Sequence, residues 1–445
     1  MEARLPGDEL EEREERGDGA EQAAELAEED SRPTVSSSNH GMDRKVLLAA
    51  RVRPMSEREL AVKSEMCVRV DCDNGYLALM DPETREAKVF VLDHVYDSSA
   101  PPGRPDSQRG ASYASNRSVF ADLGKVCMQS LMGGYNAAVV LYGQEGTGRT
   151  HTMLGHEADP GLLPRLLEDM VDLAEVQDGK WAVRGSVYKI ESERVLDLLS
   201  RDPTRKLTVR SNASATGSEV VGLTWKLLAG SEDCEELVNL VHRSCKLHSD
   251  AATLLCSLEL CSRVYRPHPH PNRSSVEELK CLSKLHLVRL SRKSGAEDSA
   301  MMKALKVPQA VSVDKSVLAW STVMSALAEK QLLMSQGRLA DQSAPHVPFR
   351  SSLLTRVLED SLGHQARVVV VATVSPSSSA YRESMHTFRH VVRSKEVKRM
   401  KTNPELLHTY SHIPEFIPSA GGGWRWAYST RVTIDKEQSE RLSPK

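Results

Sequence analysis

Between Gly143 and Thr150 the chain reads Gly143-Gln144-Glu145-Gly146-Thr147-Gly148-Arg149-Thr150, the pattern G-x-x-x-x-G-[K/R]-T. A short, wholly apolar run, Ala137–Tyr142, leads into it, and a stretch expected to be helical follows. Glycines in such a loop let the backbone curl until its N–H groups converge, and a helix N-terminus adds a favourable dipole. The chemistry is that of a cradle for nucleotide phosphates, with the Thr150 hydroxyl available to a magnesium ion. Two residues argue the other way. Arg149 stands where a compact lysine ammonium serves best, and its planar fork is bulkier. Glu145 places a carboxylate inside the loop, where it repels phosphate. From this stretch alone, a phosphate loop and a merely Gly-rich turn both stay open.

A phosphate loop needs a rigid sheet behind it, and the chain supplies strand-like runs on both sides. They lie at Val46–Val52, Phe90–Tyr96, Ala182–Ile190, Thr253–Leu260, Lys284–Leu290 and Arg367–Val374. Helical spacing appears at Ser118–Leu131, Leu162–Ala174, Ser231–Leu240, Val313–Met334, Ser351–Leu362 and Arg382–Val397. Alternation of the two predicts an α/β fold with one large central sheet. Ser98–Ser112 reads as a loop, and 31–42 as a Ser/Pro-rich linker. The tail from Lys401, with Gly421–Gly423 and Trp424-Arg425-Trp426, has no clear periodicity and is expected to be irregular. There is no internal repeat and no sustained heptad, so a monomer is expected.

Composition narrows the classes. The 445 residues carry a formal net charge of -3, but residues 1–30 alone hold 13 acidic and 3 basic side chains. The remainder therefore carries a net +7. The acidic block cannot bury a core and is read as a disordered tail. A mildly basic body suits an acidic partner surface. The longest apolar runs are too short to span a membrane, and the acidic N-terminus is no signal peptide. The eight cysteines are scattered without C-x-x-C, which fits a reducing compartment. Cys256 and Cys261 are expected to be buried thiols. His268 and His270, set between prolines, are read as an extended surface loop, since no third ligand completes a metal set.

The residues around the loop resemble the kinesin motor domain. Gly134-Tyr135-Asn136 leads through the apolar run to Tyr142-Gly143-Gln144, and His151-Thr152-Met153-Leu154-Gly155 matches the T-M-x-G continuation. Arg51-Val52-Arg53-Pro54 matches R-x-R-P, a turn that in the family packs against adenine. Gly161-Leu162-Leu163-Pro164-Arg165, residues Ile190–Leu199, His346–Arg356, Asp360-Ser361-Leu362-Gly363 and Thr373-Val374-Ser375-Pro376 follow in the family's order. Tyr113-Ala114-Ser115, Val119-Phe120 and Asp122-Leu123-Gly124 look most like the kinesin-three transport group. The resemblance implies a kinesin-type P-loop motor domain at 43–399, with a central mixed sheet flanked by helices on both faces. The acidic tail and linker occupy 1–42, and the irregular tail 400–445. It implies ATP or ADP with magnesium as ligand. The nucleotide residues it carries over are Arg51, Arg53, Pro54, Gly143, Gln144, Glu145, Gly146, Thr147, Gly148, Arg149 and Thr150, with Thr150 toward the metal.

The resemblance fails at two places that matter. The family's N-x-x-S-S-R-S-H loop should precede Thr253, and Lys246-Leu247-His248-Ser249-Asp250-Ala251-Ala252 stands there. Its D-x-A-G-x-E loop should follow Lys284–Leu290, and Leu287-Val288-Arg289-Leu290-Ser291-Arg292-Lys293-Ser294 stands there. Arg289 reverses the charge of the metal-side carboxylate, and Arg292 replaces a glycine needed for close approach. Phosphoryl transfer is mainly positioning and charge stabilisation, so these losses remove most of the catalysis. No catalytic residue is assigned.

On the track side, the resemblance implies microtubules as partner, not nucleic acid, in the cytoplasm on the cytoskeleton. The carried-over contacts are Lys315, Lys330, Arg338, His346, Arg350 and Arg356, while Val317, Leu318, Val323, Met324 and Leu327 are read as core. Three functional readings stand: a microtubule-binding protein with impaired hydrolysis and motility, a working ATP-driven motor, and a non-catalytic regulator or decaying gene product.

Overall fold

The computed structural model describes residues 46–99, 113–177, 180–202, 205–212, 217–247, 252–266, 276–290, 315–335, 346–362, 366–392, 414–418 and 424–428. The expected acidic tail, Arg338 and the segments holding His268, His270, Ser249, Arg292 and Lys293 lie outside the described residues.

The central element is a nine-stranded mixed sheet. Its strands are β1 (Val46–Val52), β5 (His94–Asp97), β6 (Ala137–Gly143), β9 (Trp181–Glu191), β10 (Arg194–Asp197), β13 (Lys226–Leu228), β14 (Thr253–Arg266), β15 (Val276–Arg289) and β16 (Arg367–Val374). The order is β10-β9-β14-β15-β6-β16-β1-β5, with β13 added beside β9. Pairings from β15 to β5 are parallel, and those from β10 to β15 are antiparallel. Sequence explains the division. β1, β6 and β16 are buried at every position, as parallel strands covered on both faces must be.

Alternation along these strands separates two cores. Val140, Tyr142, Val288 and Val370 face one side, where they meet helices α6 (Lys315–Ser335), α7 (Leu353–Val357) and α9 (Tyr381–Val392) through Trp320, Val323, Leu354 and Phe388. Val139, Leu141, Leu287 and Val371 face the other side. They meet α2 (Asn116–Val119, a π turn at Phe120–Gly124, then Lys125–Met132), α4 (Leu162–Val176) and α5 (Ser231–Leu247). Helices therefore flank both faces, as expected.

Several boundaries differ from the sequence reading for local reasons. Phe90–Tyr96 is two strands. Its first part belongs to β4 (Ala87–Val91), the edge of a separate three-stranded sheet with β2 (Val68–Asp71) and β3 (Tyr76–Met80). Asp93 makes the break: its carboxylate accepts from the Leu48 N–H at 2.8 Å, and its N–H donates to the Leu48 carbonyl at 2.9 Å. The corner is thus pinned to β1. Ser351–Leu362 is also divided. Ser352 is extended at φ -146° and exchanges hydrogen bonds with Thr355, a capping box that starts α7 afresh before α8 (Glu359–Leu362). Leu318 is 47% exposed, so that member of the expected core faces outward. The tail expected to be irregular carries an antiparallel hairpin, β17 (Pro414–Pro418) with β18 (Trp424–Tyr428).

Leu48 of β1 is fully buried, opposite Val370 of β16. Leu48→Ala should cost about 2–5 kcal/mol in urea unfolding. A cost near zero would contradict two-sided burial of β1.

Candidate functional site

The carboxyl ends of the parallel strands β15, β6 and β16 meet beside the Gly-rich loop. β6 runs straight into it at Gly143, and the short helix α3 (Arg149–Leu154) follows. Gly146 and Gly148 take φ of +75° and +100°, in the left-handed region that favours glycine, and a side chain at either would meet open space. Gly143 is constrained differently. A Cβ there would lie 2.2 Å from the Thr373 carbonyl and 2.8 Å from the Thr147 hydroxyl. The loop is therefore curled, open on its outer side and pressed against β16 on its inner side, as a phosphate cradle has to be.

Its side chains divide sharply. Thr147 is buried; its hydroxyl donates to the Gln144 carbonyl at 2.6 Å and lies 2.8 Å from the Thr373 hydroxyl. Gln144 is half-buried and Glu145 exposed, so the carboxylate that seemed to obstruct the loop points to its rim. Thr150 is half-buried at the start of α3, and its hydroxyl has no protein partner among the described residues. Arg149 departs most from expectation. Only 3% of it is exposed, and its guanidinium donates to the carbonyl of Leu290, the residue after β15. The loop's one cation is turned inward and tied to the neighbouring strand.

Arg51, at the end of β1, is likewise buried. Its guanidinium donates to the Ser98 hydroxyl at 3.1 Å, the Thr152 hydroxyl at 3.1 Å, the Ala114 carbonyl at 3.2 Å and the Asn116 side-chain carbonyl. Burial lowers its pKa, partly offset by Tyr113 and Asp159. Asn116 in turn donates from its N–H to the Asp159 carboxylate at 2.8 Å. Arg51 thus clamps the start of α2 and helix α3 to the sheet. Arg53 and Pro54 lie nearer the surface. Arg53 makes a two-pronged ion pair with Glu59, both contacts at 2.7 Å. Glu59 also accepts from the Ser375 hydroxyl at 2.6 Å and caps helix α1 (Glu57–Ala61) through Ser56. Burial raises the Glu59 pKa, but Arg53, Ser375 and Ser56 together outweigh it and hold the carboxyl at about 2.

Arg289 closes β15, 4% exposed, opposite Leu254 of β14 and Leu141 of β6. A buried cation therefore stands where the resemblance places a metal-binding carboxylate.

The residues carried over for track contact differ in exposure and partners. His346 and Arg350 are exposed, Arg350 on a 3₁₀ turn at Phe349–Ser351. Lys315 is exposed and 3.7 Å from Glu193. Lys330 is half-buried. Arg356 donates to the Val209 carbonyl at 2.6 Å and so holds β11 (Thr208–Asn212) against α7. Sequence reasoning missed Glu193. It sits in the β9–β10 turn at φ +57°, after Ser192 at +49°, and its carboxylate also accepts from the Leu353 N–H at 2.9 Å. That turn usually advertises itself with Asn or Gly, and Ser-Glu gave no signal.

Comparisons with known proteins agree with this architecture. The kinesin motor domain family model matches residues 51–397. The chain belongs to the kinesin motor domain family. Among curated relatives, kinesin-like protein Klp61F of Drosophila melanogaster is 26% identical over 381 residues, which are 81% of this chain and 33% of that protein. Human kinesin-like protein KIF16B is 29% identical over 79% of this chain and 27% of its own length. The chain thus spans about a third or less of these relatives. A solved structure of KIF14 residues 391–755 with ADP, in complex with a microtubule, superposes with a TM-score of 0.61 at 26% identity, covering 80% of this chain and 97% of that one.

The Glu59 pKa predicts an acid dependence. Because the folded value lies below the ordinary 4.5, this carboxylate's stabilisation is present above that pH and fades as pH falls toward about 2. Thermal unfolding of Glu59→Gln should lack this component of the acid decline. Parallel pH profiles for variant and parent would count against the ion pair.

Proposed function

We propose that this chain is a kinesin-like, microtubule-binding protein whose phosphate loop takes up ATP or ADP and hydrolyses it poorly or not at all. The observation that carries this reading is the Arg149 guanidinium bound to the Leu290 carbonyl, away from the loop's open side. The residues present fit the phosphates of a nucleotide. The glycine cradle is open, and its backbone N–H groups with the start of α3 supply the attraction that Arg149 does not.

They do not fit magnesium. That ion takes oxygen ligands in near-octahedral geometry, usually one or two carboxylates besides phosphate and water. Here Thr150 offers one hydroxyl, and Arg289 is a buried cation at the position reserved for the carboxylate. No hydrolytic step is assigned to these residues. Electrostatic stabilisation of the transferring phosphoryl group is normally the largest catalytic contribution, and its usual carriers are replaced.

Track binding draws support from the exposed basic residues Lys315, Arg350 and His346 and from the +7 body. The likeness to KIF14 bound to a microtubule supports it too. A cytoskeletal location follows from the same reading. Residues 43–399 form the motor-like domain, and a monomer is the simplest state. No helix among the described residues is long and apolar enough to cross a membrane.

Steady-state ATPase with microtubules should give turnover at least about 100-fold below a working kinesin motor domain assayed alongside. A fluorescent ADP analogue should bind with similar affinity whether magnesium or chelator is present. Microtubule-stimulated turnover abolished by Thr150→Asn would establish the rival reading, an active motor. Co-sedimentation should be strongest at low salt. Failure to pellet there would exclude track binding and leave the regulator reading.

A further inference from the structure

The antiparallel half of the sheet holds a chemical group that the motor reading does not use. Cys261 of β14 and Cys281 of β15 are direct partners in the strand register. That register shifts between Leu260, which pairs with Ser283, and Cys261, so Leu282 is an extra residue in β15. The bulge has a consequence for side-chain direction, because one added residue moves everything beyond it to the other face. Lys284 and His286 face one side of β15, and Ser283 faces the other, where its hydroxyl donates to the Leu131 carbonyl at 2.9 Å. Without the bulge Cys281 would follow Ser283. With it, Cys281 joins Lys284 and His286.

Those residues line a cavity of about 270 Å³, together with Arg184, Trp225 and Glu259. Cys261 shares a strand face with Glu259, two residues away, and is itself fully buried. Cys281 is half-buried and forms part of the cavity wall. Directly opposed residues of an antiparallel pair have Cα atoms about 4.5–5.5 Å apart. A disulfide accepts about 4.4–6.8 Å, a range that includes the spacing of directly opposed residues. The Cys281 thiol donates to the Ser283 carbonyl at 3.7 Å and lies near enough to Cys261 for the two thiols to shift each other's titration. Sharing its proton with Cys281 holds Cys261 below the ordinary thiol range against its burial, helped by the Arg184 charge. The same sharing, with burial, pushes Cys281 well above that range.

We propose that Cys261 and Cys281 are an oxidation site for hydrogen peroxide, closing to a disulfide across β14 and β15. Peroxide enters through the cavity beside Cys281. The Cys261 thiolate attacks one peroxide oxygen and the O–O bond breaks. One oxygen stays on sulfur as a sulfenic acid, and the other leaves as hydroxide, which takes the proton that Cys261 released. The Cys281 sulfur then attacks the sulfenic sulfur, its thiol proton goes to the departing oxygen, and a second water leaves. Two thiols and one hydrogen peroxide become one disulfide and two waters.

Cys256 is the internal control. It is fully buried on β14, and burial pushes its thiol up to about 12. The test treats the full chain with hydrogen peroxide, alkylates remaining thiols after denaturation and maps the peptides by mass. The expected product links the Cys261 and Cys281 peptides and is lighter by two hydrogens. It should form at least about ten times faster than Cys256 is oxidised. Cys281→Ser should leave a sulfenic acid on Cys261 that dimedone captures. Wild-type chain in which the exposed Cys72 oxidises while both members of the pair stay alkylatable overturns the proposal, whether or not the variant folds.

Discussion

The arrangement depends on one constraint: β6 is paired in parallel with β15 on one side and β16 on the other. Parallel pairing brings the strand ends to the same edge of the sheet. Gly143, Leu290 and Thr373 therefore become neighbours although they come from distant parts of the chain. The loop after β6 can curl only into the space those ends leave. Gly143 is required because β16 fills the room a Cβ would occupy. Thr147 is drawn down onto Thr373 for the same reason. The loop's shape is thus imposed by its two neighbours as much as by its own glycines.

That edge also gathers three arginines. Arg51, Arg149 and Arg289 all end or follow strands that converge there, and all three are buried. A guanidinium taken from water has to satisfy its donors, and each carbonyl at a strand's end is an acceptor without a ladder partner. Arg149 takes the Leu290 carbonyl, and Arg51 takes the loop oxygens around α2 and α3. In a phosphate site a cation is usually kept to meet the ligand. Here the positive charge has become part of the scaffold, which fits the loss of the carboxylate at Arg289. At this edge of the motor architecture the buried arginines serve packing.

The antiparallel half is organised by different means. Long paired strands give it many hydrogen bonds and few free ends, and its special features come from turns and a bulge. The Ser192-Glu193 turn presents one carboxylate that ties α7 to β9 and β10 and meets Lys315 of α6. The bulge at Leu282 re-aims the end of β15 and places two thiols together. A shift of one residue changes which side chains meet, since strand periodicity is two.

Much was determined by the sequence alone. The apolar runs at β1, β6 and β16 could only be buried strands, and their register with the glycines made a phosphate loop legible. The helices α4 and α5 followed from spacing of three and four, because one face must be apolar. Arg289 and Arg292 were legible as departures in charge and size from the family's pattern. Tertiary structure decided what those residues touch. That Arg149 reaches Leu290, that Arg51 serves as a clamp, that Arg356 holds β11 and that Leu318 faces out depend on partners far away in sequence. No local pattern encodes them. The breaks at Asp93 and Ser352 were hidden for the same reason: each is set by a hydrogen bond competing with the propensity of an otherwise continuous run. Residue types and spacing fixed the kind of edge this sheet would have, while the direction of each charged side chain was settled by which carbonyls and hydroxyls the packed strands left within reach.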